Sequence, residues 1–304
     1  MVSGYAHPLY AASLAEFGTP RSLSASGGWL LRRAIAGADF HDATGCYPLF
    51  ACPLWSGLRQ DLEDLVADCV SVALVADPFA PIPPSELREL FDRVTEFKQH
   101  FVVDLRSNPS ATISKHHRYY ARKALDEVEV RRSEDPPALA DEWAQLYGHL
   151  VERHSLRGIK AFSRAAFDVQ LRVPGLVMLR AMLDGGGVGA HLWYVAGEVA
   201  YSHLMALGPQ GYQRGAAYAL YWEAVANAAQ HFGPAVRWLD LGSGAGVGQA
   251  DEGLSRFKRG WANQQRPVYF CGRIFNADAY ERLVRSRGIG QSDYFPAYRE
   301  GEFS

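Results

Sequence analysis

The sequence predicts an α+β fold, and three observations predict it. First, three strand-like runs follow one another without a helix between them: LVMLRAML from Leu176, VGAHLWYVA from Val188 and EVAYSHLMAL from Glu198. They are joined by DGGG and at Gly197, the composition of tight antiparallel turns. Second, helix and strand alternate after them, so the second half reads β-β-β-α-β-α-β-α. A doubly wound sheet would alternate from its start. Third, a length of 304 residues exceeds one small core. The polar, proline-bearing segment RRSEDPPALADEW, near Ser133 to Pro137, is the expected boundary between two domains, residues 1–135 and 136–304.

The elements follow in order. SGLRQDLEDLVADC places Leu58, Leu62, Leu65, Val66 and Cys69 on one helical face, with Ser56 as N-cap. VSVALVA (Val70 to Ala76) is a short apolar strand of the kind buried on both faces. DPFAPIPP then breaks the chain. SELRELFDRVTEF carries helical spacing through Leu87, Leu90, Phe91, Val94 and Phe97. FVVDL is a strand, SKHHRYYARKAL a basic helix, and VEVRR a strand. Past the boundary, Leu139, Trp143, Leu146, Tyr147, Leu150 and His154 stripe a long helix. The three hairpin strands come next, then an apolar-striped helix over Ala216 to Phe232. VRWLDL, GLSRFKRGW, PVYFCGRIF and ADAYERLVRSR close the chain as strand, helix, strand and helix.

Bulk composition narrows the function. A hydrophobic content of 48% with 21% charged residues is ordinary for a globular chain. A net charge of −2 excludes a protein that coats long nucleic acid, but not one that grips a short end of RNA. Cys46, Cys52, Cys69 and Cys271 show no C-x-x-C pair and no zinc spacing with histidine, so buried free thiols and no metal are expected. No signal peptide and no membrane span are read, which leads to an expected cytoplasmic location.

Asp240-Leu241-Gly242-Ser243-Gly244-Ala245-Gly246 suits the loop that holds S-adenosylmethionine in methyltransferases. That reading needs the first strand of a doubly wound domain before the loop and an acidic residue ending the next strand. Instead three strands lie upstream, too few residues follow Gly248, and PVYFCGRIF ends in Asn276. The glycines read better as a tight strand-end loop.

Read together, AAYALYWEAVANAAQHFG, RWLDLGSGAGVG and GLSRFKRGW resemble the closing pattern of the FemAB-like (Fem-type) aminoacyltransferases, within the GNAT acyltransferase superfamily. SKHHRYYARKALDEVEV is similar to the segment between their two GNAT-like halves. The stretch from CYPLFACPLW to VSVALVADPF is similar to their first half. The resemblance spans about Gly45 to Phe275. It implies tandem GNAT-like domains, each a mixed sheet flanked by helices. It further implies transfer of an aminoacyl group from the acceptor end of aminoacyl-tRNA to a small amine or peptide-like acceptor. It also implies that Lys258, in the Phe257-Lys258-Arg259-Gly260-Trp261 element, lies near the reacting ester, flanked by the substrate-binding rings of Phe257 and Trp261. The chain departs from the family: it has no room for a coiled-coil arm and is shorter than typical members, which puts a cell-wall acceptor in doubt. The stretch GPQGYQRGAAYAL replaces the usual acetyl-CoA loop, although Gly211, Arg214 and Gly215 sit where backbone N–H groups meet a phosphate. An acyl-CoA or carrier-protein thioester donor, or a GNAT-like binding protein without catalysis, are the alternatives. No cofactor is expected beyond the aminoacyl-tRNA or thioester co-substrate.

Acyl transfer to an amine needs a base, a site for the developing oxyanion, and two substrates held together. Period-2 alternation puts Val199, Tyr201, His203 and Met205 on one strand face, where Tyr201 and His203 are placed to orient or deprotonate an amine. Asp240, at the end of VRWLDL, is a further candidate acceptor for the amine. Arg118 and Arg122, four residues apart, share a helical face suited to a substrate phosphate.

Overall fold

The computed structural model describes residues 2–108, 112–244 and 252–302. Its centre is one eleven-stranded mixed sheet in the order β1-β2-β3-β4-β11-β5-β10-β9-β8-β7-β6. The first strands are β1 (Thr19–Ser22), β2 (Trp29–Ala34), β3 (His41–Gly45), β4 (Ser71–Val75), β5 (Arg93–Asp104) and β6 (Glu129–Arg132). The hairpin series β7 (Leu176–Leu183), β8 (Gly186–Ala196) and β9 (Val199–Leu207) precedes β10 (Trp238–Asp240) and β11 (Gln264–Ile274). The helices are α1 (Pro8–Ala12), α2 (Leu58–Asp64), α3 (Pro84–Leu90), α4 (Lys115–Leu125), α5 (Ala140–His154) and α6 (Arg164–Gln170). They continue with α7 (Pro209–Gln213), α8 (Ala216–Ala226), α9 (Ala228–Phe232), α10 (Glu252–Arg259) and α11 (Ala277–Ser286). The α+β class stands: a large mixed sheet flanked by helices.

Chain order and spatial order part company at the centre. β5 follows β4 in sequence but lies between β10 and β11. β11 crosses the other way and pairs antiparallel with β4 and with β5. The strands on either side of residue 135 therefore share one sheet: β11 lies beside β4 of the first set, while β5 and β6 of the first set flank β10 to β7.

Two buried clusters hold the second half of the sheet. One face packs Val102, Val199, Tyr201 and Trp238 with α1, α5 and α6 through Tyr10, Trp143 and Phe167. The other packs Val103, Ala200 and Leu239 with α4, α8 and the turn that follows α10 through Ala121, Leu220 and Trp261. The local reasons are visible in the sequence. Ser114 caps α4 by accepting from the His117 N–H, Ser163 caps α6, and Asn276 caps α11.

Several sequence expectations change. The helix expected through Phe97 ends at Leu90, and Arg93 begins a twelve-residue strand. Pairing with β11 decides the state of Val94 to Phe97, whose spacing alone fits a helix. The α2 helix begins after Gly57, with Ser56 in a preceding 3-10 turn and Val66 exposed. The helix expected over Ala216 to Phe232 breaks at Asn227 into α8 and α9. Strands β1, β2 and β3 and helix α6 were not legible from periodicity.

Gly211 has a packing duty. A Cβ on it would fall 2.2 Å from the Val188 carbonyl oxygen, so α7 can approach β8 only with glycine there. We expect Gly211→Ala to destabilise the fold by about 1–3 kcal/mol. An unchanged thermal midpoint would contradict this reading of the close approach.

Candidate active site where two strands part

β9 and β10 are parallel and pair over only three positions, ending at Tyr201 opposite Asp240. β9 runs on to Leu207, whereas the chain after Asp240 follows β5: the Leu241 N–H donates to the Phe101 carbonyl (2.9 Å) and the Phe101 N–H to the Gly242 carbonyl (3.0 Å). The two strands thus diverge just past Tyr201 and Asp240. Beyond these two residues the strands share no pairing, which leaves a gap between their edges.

One face of the gap is acidic and aromatic. Tyr201 and Asp240 share it, as cross-strand partners do. Asp77 enters from the loop after β4. Its carboxylate accepts the Tyr201 hydroxyl (2.8 Å) and the Phe79 N–H (2.8 Å). Burial pushes its carboxyl up to about 6, with the Asp240 charge adding to the rise against the two hydrogen bonds. Asp240 is itself buried and accepts from His100 Nδ1 (2.9 Å) and from the Gly242 N–H (2.8 Å). It therefore fixes the start of the glycine turn as well as facing the gap. A cleft of about 730 Å³ opens on this side, lined by Tyr5, Asp77, Phe79, Tyr201, Trp238 and Arg266 among others. The Arg266 guanidinium lies 4.3 Å from the Phe79 ring centre and 4.6 Å from that of Trp238.

The other face is basic. Lys258 Nζ, from the last turn of α10, donates to the Ser243 carbonyl (2.7 Å). Gly242 has φ +71, and a Cβ on it would sit 3.2 Å from that Nζ. Helix α10 is locked to α4 by one imidazole: His117 Nε2 donates to the Phe257 carbonyl (2.9 Å) while Nδ1 accepts from Ser114 Oγ (2.7 Å). Burial lowers the His117 pKa and favours this neutral form. Trp261 is fully buried, stacked on Tyr221 at 5.7 Å. The substrate-binding role expected for Trp261 is corrected: it is a core ring that seats Phe257, which is only partly buried.

The expected face of β9 is also corrected. Leu192 pairs with Leu204 and Trp193 with Ser202, so His203 is the extra residue of a bulge. The bulge reverses the alternation and sends Met205 to the opposite face from Tyr201. His203 sits among Tyr5, Tyr10, Tyr194 and Phe162, within hydrogen-bond distance of the Tyr5 hydroxyl (3.2 Å) and Gln170 (3.3 Å). Burial depresses its pKa to about 3, so the ring stays neutral at working pH.

Of the remaining sequence candidates, Arg118 is half-buried and Arg122 exposed on α4, on the basic side. Arg214 is ion-paired with Glu127, and Gly215, at φ +68, opens α8. Ala245, Gly246 and Gly248 of the glycine loop lie outside the described residues. Asp240 and Lys258, expected in one cleft, approach the gap from opposite faces of the sheet. The residue that sequence reasoning missed is Asp77. The signal was there: a carboxylate immediately after the mostly apolar run VSVALVA, where a strand buried on both faces ends. Among the described residues no group of three His, Cys, Asp or Glu is placed to hold a metal. None of the described helices is long and apolar enough to cross a membrane.

Residues 111–259 match the family model for the acetyltransferase (GNAT) domain. No curated protein matches the chain in sequence. Among solved structures, FemX is similar with a TM-score of 0.64 at 13% identity, covering 90% of this chain and 93% of FemX. L-PGS from Bacillus licheniformis is similar with a TM-score of 0.56 at 13% identity, covering 96% of this chain and 100% of that one. At such identity these likenesses show a shared fold, and they exclude the doubly wound methyltransferase fold that the glycine loop suggested. Through residues 111–259 the chain is similar to the acetyltransferase (GNAT) domain, and it shares the fold of FemX and L-PGS.

Proposed function

We propose that the chain forms an amide bond by transferring an aminoacyl group from aminoacyl-tRNA to an amine acceptor. The observation that carries this reading is the gap at Tyr201 and Asp240, with a raised-pKa carboxylate on one face and a lysine at a basic helix end on the other. The shared fold with FemX and L-PGS supports it.

The acceptor amine occupies the acidic face and attacks the ester carbonyl carbon. The C–O bond to the ribose then breaks, and the ribose oxygen takes a proton from water as it leaves. Asp77, ionised above about pH 6, receives the proton that the amine loses. The Tyr201 hydroxyl holds that carboxylate in place, and Asp240 holds the glycine turn below it. Lys258, on the donor's face, supplies positive charge to the oxyanion and the departing oxygen. His203, held neutral, positions Tyr5 rather than carrying charge. Arg266 gives the cleft a cation for an anionic group of the acceptor. Arg118, Arg122, Gly215 and Phe257 face the donor's side, with Arg214 at the turn before α8. An ester or thioester is already activated, so no covalent enzyme intermediate is needed.

The test offers the protein charged tRNA or acyl-CoA, each with a panel of amines and with or without RNase. We expect amide formation from charged tRNA that RNase abolishes. RNase-insensitive transfer from acyl-CoA alone would overturn the donor.

A further inference from the structure

On the donor's face, α4 carries Lys115, Arg118, Arg122 and Lys123 and no acidic residue between Lys115 and Leu125. Arg259, exposed at the end of α10, adjoins its start, because the Ser114 N–H donates to the Gly260 carbonyl at 3.0 Å. In a chain of net charge −2, five cations gathered along one helix and its neighbour are a local field, not an average. At the far end, Glu127 is taken up by Arg214.

The same helix exposes aromatic rings that its cations do not explain. Tyr119 is 62% exposed and Tyr120 40% exposed. They are ordered with respect to each other. Tyr120 stacks on Tyr218 of α8 at 5.3 Å and 28° between planes. His116 lies 4.5 Å from Tyr120 and 6.2 Å from Tyr218, beside the pair, and Tyr119 meets Tyr120 edge-on at 5.2 Å. A ring stack that is built and left open, set among cations, has the chemistry of a single-stranded nucleic acid site: aromatic faces take bases and cations take phosphates. A protein partner would meet tyrosines in a flatter, charge-depleted setting. Helix α4 is about 16 Å long, which spans only a few nucleotides.

We infer that the surface of α4, with Tyr218 and Arg259, binds a short unpaired RNA end by stacking on Tyr119 and Tyr120 while Arg118 and Arg122 hold phosphates. This rests on the aminoacyl-tRNA reading for its biological ligand, but binding of uncharged RNA is measured independently of any transfer.

The experiment titrates the full chain with a fluorescently labelled, uncharged single-stranded RNA oligonucleotide and follows anisotropy at several salt concentrations. We expect binding that weakens linearly in log salt. R118Q/R122Q should lower the slope by about 1.4, at about 0.7 for each phosphate no longer neutralised. Y119A/Y120A should weaken binding about five-fold or more per ring with the slope unchanged. Tyr119, Tyr120 and Arg122 are exposed on α4 and Arg118 is half-buried, and circular dichroism checks that the variants fold. Failure to bind at low salt overturns the inference. So does equal binding of duplex RNA or of inorganic polyphosphate, or variants that keep both the affinity and the slope of the wild type. If RNA binds as expected but acyl-CoA proves to be the donor, the surface stands and the donor reading alone fails.

Discussion

Asp77→Asn is expected to lower turnover by roughly 10²–10⁴-fold, the range for loss of a positioned general base. The substitution is nearly isosteric. Asn Oδ1 can still accept the Phe79 N–H, and its amide can donate to the Tyr201 hydroxyl, so the loop after β4 keeps both ties. A second readout separates chemistry from damage. The Asp77 carboxyl is raised to about 6 in the fold, against about 4 in an unfolded chain. Its contribution to stability is therefore full below about pH 4 and is lost as pH rises through about 6. At pH 8 the ionised, desolvated carboxylate is a cost, and its removal should stabilise the protein by up to about 3 kcal/mol. The wild-type activity should fall below pH 6 as Asp77 is protonated. A D77N protein that is less stable at pH 8 than the wild type, or that keeps full turnover, would remove Asp77 from the base position.

Lys258→Met is expected to cost about 10²–10³-fold in turnover, the range for loss of one preorganised group that stabilises an oxyanion. The side chain spans from α10 to the Ser243 carbonyl, so its charge is held against the glycine turn rather than swinging in solvent. Methionine keeps the chain length and loses the charge. Helix α10 should remain seated, because Trp261 and the His117–Phe257 bond hold it independently of Lys258. A folded K258M enzyme with unchanged kcat would show that the lysine only ties the turn.

The contrast between these two residues shows what the sequence could carry. Lys258 was legible because its neighbours form a recognisable local pattern. Asp77 was not, because its partner Tyr201 lies far along the chain and only the sheet brings them together. The same division runs through the fold. The hairpins β7 to β9 and the helices α4, α5 and α11 follow from local periodicity and capping. The first half of β5 has the spacing of a helix because it is exposed, and its identity comes from β11. The bulge at His203 was also hidden, since alternation gives no sign of where one residue will be skipped. Trp261 looked like a binding ring beside Lys258, and burial made it core.

The crossing of β5 and β11 bears on how the protein is made. During synthesis the first strands emerge early, yet the side of β4 that faces the centre finds its partner only when β11 is complete. Until then β4 presents an unpaired apolar rim to the cell. Such distant pairing slows folding, because a long stretch of chain must be closed before the contact gives anything back. The first half therefore spends most of synthesis without the strand that closes its sheet. Once β11 closes the sheet, neither half can unfold without pulling a strand from the other.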